Sequence, residues 1–488
     1  MGLHSFVFLV LSLLELACII TVIFVERKNP TATIAWVLVL AFVPVVGFIA
    51  YLTFGSGFHV NKKKRYVLKR VSDNLYHQIL SDYITAGKMS GPGDGRPYVR
   101  LIQYLTNDGE HHHTDNNTVT VYTHGEAMFA AMKEDMRQAK RHIHLLYYIF
   151  RDDALGREIV AILTEKAKSG VEVRVIYDSV GSLLSRGRMF KELRAAGGQV
   201  EPFSPLMLSI SSHLRLNYRN HRKITVVDGI VGYVGGMNIG DEYLGKDKRL
   251  KPWRDTHLRL TGSSVSFLQE RFLLDWMFVN NLEIFPDSKG IPPEALRAFF
   301  PPPLQLGNVG MQIVSSGPDT ATMAIKSGLL EMLYAARKNI YIQTPYFVPD
   351  ESIMDALRIA VSSGVDVRLM LPGLADKSPV YAATLGYARQ ILQSGAKVYT
   401  YPGFLHGKTI VCDGAVSSIG TANFDNRSFA LNFEINAFMY SQDFAVECQD
   451  IFLRDQEICT ELSEDWYQSR SPVVRGMYNA CRMLAPLV

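Results

Sequence analysis

Cysteine is scarce in this chain and follows no framework. The five present, Cys18, Cys412, Cys448, Cys459 and Cys481, include no C-x-x-C pair and are odd in number. That excludes the common zinc spacings and a disulfide scaffold, and it fits a reducing compartment. Cys412 stands in the apolar run TIVCD and reads as a small core residue rather than a nucleophile. An excess of one charge is lacking too. The chain sets 51 Lys and Arg against 47 Asp and Glu, a net +4 over 488 residues, so global charge gives no case for a nucleic-acid partner. No acidic cluster suited to a two-metal site is evident, and neither metal nor cofactor is expected. The tract His111 to His113 in HHHTDNN lacks further ligand spacing; it reads as a solvated polar loop, with metal binding the alternative. The N-terminus has no basic leader and no A-x-A site, which argues against a cleaved signal peptide.

Long apolar runs, by contrast, are present. Leu3 to Val25 and Thr31 to Phe54 are almost wholly apolar and are separated by little more than ERKNP. About 20 residues of helix cross a bilayer, so the spacing predicts a two-helix transmembrane hairpin over 1–58. Lys62, Lys63, Lys64, Arg65, Lys69 and Arg70 follow the second run, against Arg27 and Lys28 in the turn. The positive-inside bias then makes the protein a multi-pass membrane protein with its large C-terminal part cytoplasmic. The same basic cluster can hold anionic lipid headgroups.

The remainder reads as an internal repeat. AKRHIHLLYYIF (139–150), a helical stretch and SGVEVRVIYD (169–178) are matched by ARKNIYIQTPYF (336–347), a helical stretch and SGVDVRLMLPG (363–373). This order predicts an α/β fold with a mainly parallel sheet flanked by helices. The boundaries expected are a basic connector at 59–117, repeat one at 118–285, a Pro-rich linker at 286–310 and repeat two at 311–488.

Each repeat ends in the same grammar. HRKITVVDGIVGYVGGMN (221–238) and HGKTIVCDGAVSSIGTAN (406–423) both read H-x-K-x4-D-x6-G-[GT]-x-N. In a strand, residues two apart share a face, so His221 and Lys223 point together, as do His406 and Lys408. Two imidazoles brought together by a pseudo-two-fold supply covalent and acid–base chemistry in two steps. Lys223 and Lys408 would face a common anion with Asn238 and Asn423 as amide donors, which suits a phosphodiester. Carboxylates are needed to hold the imidazole tautomers; Asp255 in PWRDTHLRL and Glu434 in LNFEINAF are the candidates. Asp228 and Asp413 belong to the motif as candidate site residues, with a loop-tying role as the alternative.

The duplicated motif resembles the phospholipase D superfamily signature. The N-terminal hairpin, with YYIF, NYRNHRKI, WRDTHLRL and NFDNRSFALNFEIN, is similar to the bacterial cardiolipin synthases of that superfamily, over nearly the whole chain. The resemblance implies two pseudo-symmetric phospholipase D-like repeats and a membrane phosphatidyltransferase. In that family a histidine attacks one phosphatidylglycerol, glycerol leaves, and a second phosphatidylglycerol resolves the phosphatidyl-histidine to cardiolipin. By resemblance His221 is the nucleophile and His406 the general acid and then base; the near symmetry leaves the reverse order open. A hydrolase that uses water, and a silent membrane scaffold, are the competing functions. Gly236 departs from the serine common in the family, whereas Thr421 keeps a hydroxyl.

Overall fold

The computed structural model describes residues 98–109, 111–183, 185, 187–203, 218–280, 297–302, 307–320 and 322–484. From the N-terminal region it describes 13, 16–20, 22–24, 30–43, 47, 48 and 51. The first repeat contributes β1 (Thr114–Tyr122), β2 (His142–Tyr147), β3 (Glu172–Asp178), β4 (Gln199–Phe203), β5 (Ile224–Val227), β6 (Val231–Gly235), β7 (Trp253–Arg254) and β8 (His257–Thr261). The second contributes β9 (Val309–Ser316), β10 (Asn339–Gln343), β11 (Phe347–Val348), β12 (Asp366–Pro372), β13 (Lys397–Tyr401) and β14 (Phe404–Leu405). It continues with β15 (Thr409–Cys412), β16 (Val416–Gly420), β17 (Phe424–Asp425), β18 (Glu434–Met439) and β19 (Thr460–Leu462).

Fifteen of these strands form one sheet, in the order β19-β13-β12-β10-β15-β16-β18-β9-β1-β8-β6-β5-β2-β3-β4. Outward from the central pair the halves match: β1-β8-β6-β5-β2-β3-β4 on one side, β9-β18-β16-β15-β10-β12-β13 on the other. Since β1 and β9 run antiparallel, a pseudo-two-fold lies between them. The duplication read in the sequence is thus a duplication of topology. The expected mainly parallel sheet is corrected, because only the wings β2-β3-β4 and β10-β12-β13 are parallel. The centre is antiparallel because each H-x-K strand runs straight into a D-G turn, which closes the hairpins β5–β6 and β15–β16.

Those turns also settle where Asp228 and Asp413 sit. Both adopt left-handed backbone, φ 55° and 57°, followed by Gly229 at 70° and Gly414 at 59°, the pair of positive φ values a tight hairpin turn requires. The Asp228 carboxylate accepts the backbone N–H groups of Lys140 (2.8 Å), Arg141 (2.7 Å) and His142 (2.9 Å). Asp413 does the same for Arg337, Lys338 and Asn339 at 2.9, 2.7 and 3.0 Å. Each ties its hairpin to the start of the neighbouring strand, at the far end of β5 or β15, roughly 15 Å along the strand from the lysine. The loop-tying alternative replaces the site role: their oxygens are taken up by these backbone N–H groups, joined at Asp413 by the Tyr98 hydroxyl at 3.3 Å. Asp228→Ala is expected to cost about 2 kcal/mol of stability, read as a fall in Tm, with kcat/KM at 25 °C changed less than about twofold because nothing at the histidines moves.

Helices fill the outer faces. Ala154–Lys168, with Asp153 as N-cap accepting from the Gly156 N–H, stops at Ser169 with Gly170 left-handed just beyond. Ser264–Asn280 is buried nearly all round. The apolar core beneath it mixes Leu146, Ile176, Val226, Leu260 and Phe272 with Ile313, Tyr341, Val411, Ile435 and Phe452. This core runs across the pseudo-axis, so the two halves are packed as one body and whatever lies between them is held rigidly.

Among the described residues no helix is long and apolar enough to cross a membrane. Much of the expected hairpin, the basic cluster at 62–70 and most of the Pro-rich linker lie outside the described residues. The helix Pro30–Phe42 is described, and Trp36 meets Tyr51 edge-on at 5.6 Å. The solvated loop expected at His111–His113 is corrected: His113 is buried against Tyr440 and His112 stacks on Phe267.

Candidate active site

Neither histidine is held by its own repeat. His221, just ahead of β5, places Nδ1 3.0 Å from the Glu434 carboxylate at the start of β18. His406, just ahead of β15, places Nδ1 2.7 Å from Asp255 Oδ2, which precedes β8. The pairs cross the pseudo-axis in opposite senses, so closing either one brings both motifs together. Backbone contacts reinforce the crossing: the His221 N–H donates to Phe433 O (2.9 Å) and the His406 N–H to Arg254 O (2.6 Å). The short pair β7–β14 and the bridge between Asn220 and Phe433 join the same segments.

Lys223 Nζ donates to His221 O at 2.7 Å, and Lys408 Nζ to His406 O at 2.6 Å. Each ammonium keeps further N–H groups beyond that bond. Lys223 also lies 5.5 Å from the Tyr148 ring centre, and Tyr148 packs edge-on to His221 at 5.0 Å. His406 is walled by Trp253, Phe404 and Tyr243 at 5.6, 5.8 and 6.1 Å between ring centres.

Asn238 and Asn423 lie beside this cluster with their amides partly committed. Asn238 Oδ1 accepts the Ile149 N–H at 3.0 Å and its Nδ2 donates to Tyr243 Oη at 2.6 Å. Asn423 Nδ2 donates to Asp425 Oδ2 at 3.1 Å. An amide nitrogen carries two N–H groups, so each asparagine keeps one donor beyond these bonds.

The two carboxylates are supported differently. Glu434 accepts from the Thr421 hydroxyl at 2.5 Å and from Asn432 Nδ2 at 3.1 Å. Asp255 accepts its neighbour's backbone N–H, that of Thr256, at 2.7 Å. The shorter aspartate sits directly on Gly236, where a Cβ would come within 2.0 Å of Asp255 Oδ1. Glycine in the first motif is therefore matched to aspartate, and threonine in the second to glutamate.

Electrostatics follow from burial among these charges. Burial brings the His221 imidazole down to about 4, with Lys223 and Lys408 pushing the same way against Glu434. His406 also falls to about 4, through burial and Lys408, against Asp255. Burial lowers Lys223 to about 7 and Lys408 to about 8. Burial alone would raise Asp255 and Glu434, but the facing histidines and lysines hold both below the usual carboxylate range. The site thus holds two ionised carboxylates, two neutral imidazoles with Nδ1–H on a carboxylate, and two Nε2 lone pairs. With both lysines charged, the cluster is neutral overall. An entering phosphodiester monoanion favours uptake of one proton, and an imidazole is placed to take it.

Arg222, between His221 and Lys223, points to the opposite face. It is fully buried, 2.9 Å from both oxygens of Asp275, with Nε 3.2 Å from Glu434 O. The second motif has Gly407 at this position, and there Arg254 pairs with Asp455 at 2.8 Å. Sequence reading missed Arg222, Arg254, Asn432 and Trp253. The last two stand two residues before Glu434 and Asp255, and that same-face spacing was the available signal.

A duplicated α/β half, two H-x-K strands and a site on the seam define a phospholipase D-like protein. The family described as "Cardiolipin synthase, PLD-like domain" matches residues 132–249 and 329–456, and "Phospholipase_D-nuclease N-terminal" matches 14–56. The cardiolipin synthase of Oceanobacillus iheyensis is 41% identical, and the major cardiolipin synthase ClsA of Bacillus subtilis 43%, each over 100% of both chains. The chain belongs to the cardiolipin synthase family. Among solved structures, the phosphatidylserine synthase of Haemophilus influenzae superposes with TM-score 0.57 over 80% of this chain and 99% of its own, at 15% identity, a likeness of fold.

Proposed function

We propose that this chain makes cardiolipin at the seam between its repeats, by passing a phosphatidyl group from one phosphatidylglycerol to another. The crossed pairs His221–Glu434 and His406–Asp255 carry this reading. The lysines, with the remaining asparagine N–H groups, receive the non-bridging phosphate oxygens and stabilise the five-coordinate phosphorus. His221 Nε2 attacks phosphorus as the P–O bond to glycerol breaks. Protonated His406 gives its Nε2 proton to the departing glycerol oxygen. Neutral His406 then takes the proton from the terminal hydroxyl of a second phosphatidylglycerol. That oxygen attacks phosphorus, the P–N bond breaks, and His221 is restored. Glycerol and cardiolipin are the products.

The N-terminal apolar runs would anchor the chain as a multi-pass membrane protein with the catalytic body cytoplasmic, where both lipids lie in one leaflet. The test is incubation of the purified full chain with phosphatidylglycerol vesicles in EDTA, with products identified by mass spectrometry. Cardiolipin and glycerol in equal amounts are expected. Phosphatidate with glycerol, in place of cardiolipin, would mean that water resolves the intermediate and would overturn the synthase.

The pH profile gives a second check. Below about 4 both imidazoles of the free enzyme are protonated and the nucleophile is lost, so kcat/KM falls. Above about 4 the proton that His406 must carry is taken up with the substrate, so kcat/KM declines as pH rises. It falls more steeply above about 7 and then 8, where Lys223 and Lys408 lose their charge. Bound phosphate stabilises the charged lysines, so the alkaline limb of kcat is expected at higher pH than that of kcat/KM. Coincident limbs would count against the lysines as phosphate ligands.

A further inference from the structure

The C-terminal helix Pro472–Leu484 turns one face inward and leaves the other exposed among the described residues. Tyr478 is buried, and Val474 and Cys481 pack on the core. Outward point Val473 (81% exposed), Met477 (49%) and Met483 (74%), with exposed Gly476 and Ala480 between them. Residues 473, 476, 477, 480 and 483 fall on one side of a helix, so the exposed side is an apolar stripe. Elsewhere on the described repeats large apolar side chains such as Leu183, Ile359 and Ile458 stand exposed singly; single ones are ordinary on a soluble surface.

Charge identifies the occupant. From Ser469 to the C-terminus the sequence carries Arg470, Arg475 and Arg482 and no Asp or Glu. Arg475 and Arg482 are half-buried along one flank, and Arg470 is stacked 4.2 Å from the Trp466 ring centre. An apolar face edged by exposed Asn479, with arginine as the only charge of the segment on the flank beyond it, suits the headgroup layer of an anionic bilayer, where the stems lie among lipid and the guanidinium groups meet phosphate.

Position makes the contact useful. The helix lies against Ser378–Gln393 so closely that a Cβ on Gly386 would be 2.9 Å from Tyr478 O. Helix Ser378–Gln393 in turn holds the segment beside the site: Thr384 Oγ1 accepts the Phe347 N–H at 3.2 Å, and β11 pairs with β17, which starts one residue after Asn423. Just before this helix, Asp376 accepts the Tyr346 hydroxyl at 2.5 Å and its charge reaches Lys408.

We propose that helix Pro472–Leu484 is a second membrane contact, an interfacial helix that lies on the anionic bilayer through Val473, Met477 and Met483 and holds the site end of the second repeat against its lipid supply. The test is hydrogen exchange of the full chain in nanodiscs holding one copy each, made of phosphatidylcholine alone or of equal phosphatidylcholine and phosphatidylglycerol. Amides of 472–484 are expected to exchange at least about fivefold more slowly in the anionic discs than in detergent. Neutral discs are expected to protect less. The triple variant Val473→Asp, Met477→Asp, Met483→Asp, whose side chains face solvent, should lose that protection while its Tm in detergent and its exchange elsewhere stay unchanged. Equal exchange in all three settings would overturn the proposal, as would equal protection by both kinds of disc. Protection that grows with protein concentration in detergent would also overturn it, assigning the face to a second copy. Because exchange needs no turnover, these outcomes are independent of whether the chain makes cardiolipin.

Discussion

His221→Ala is expected to lower kcat/KM with phosphatidylglycerol by about 10⁴-fold or more, because it removes the atom that bonds to phosphorus. His406→Ala is expected to lose a similar factor, yet the two losses differ in kind. Glycerol is a poor leaving group and needs a proton in the transition state; p-nitrophenolate does not. With phosphatidyl-p-nitrophenol as donor, His406→Ala should still release a burst of nitrophenolate near one per site and then stall, since no base activates the acceptor. His221→Ala should give no burst. A burst in His221→Ala and none in His406→Ala would reverse the assigned order. Bursts in both would remove histidine as the obligatory nucleophile.

Glu434→Gln and Asp255→Asn are each expected to lower kcat by about 10³-fold or more with little change in fold. A carboxylate facing Nδ1 fixes the tautomer that leaves the Nε2 lone pair free and steadies the imidazolium that forms; an amide of equal shape can present N–H to Nδ1 and select the wrong tautomer. The crossed geometry dictates which phenotype follows which change. Glu434→Gln, in repeat two, should behave like the loss of His221 in repeat one and give no nitrophenolate burst. Asp255→Asn, in repeat one, should behave like the loss of His406 and keep the burst. The reverse pairing would mean that each histidine is held by its own repeat, contrary to the 3.0 and 2.7 Å contacts. Since removing one charge from a buried set can raise or lower stability, Tm is recorded beside each rate.

Much of this was legible in sequence because it is local. Alternation along a strand puts His221 with Lys223 and His406 with Lys408 whatever the rest of the fold does. The D-G pair announces a hairpin, and duplicated S-G-V turns announce a duplicated unit. The same alternation did not reveal the job of Arg222. A charge on the other face of a buried strand must find partners there, and Asp275 lies 53 residues away in a helix whose packing no local pattern shows. Asp228 and Asp413 had the spacing of site residues; strand length, with their left-handed backbone, carried them to the opposite end. The mixed sheet was misjudged because βα units dominate the sequence pattern, whereas the antiparallel centre is made by pairings between distant strands such as β1–β8 and β9–β18.

By itself, then, the sequence determined the chemical vocabulary of this protein: two imidazoles, two ammonium groups, two asparagines and two carboxylates, doubled by repetition and set in short strands that end in tight turns. Only the tertiary structure decided which carboxylate serves which histidine, and it decided for exchange. The reason is geometric. β1 and β9 meet about a pseudo-two-fold, one core is packed across it, and each histidine leaves its strand towards the axis. The carboxylate that meets each Nδ1 then belongs to the other half.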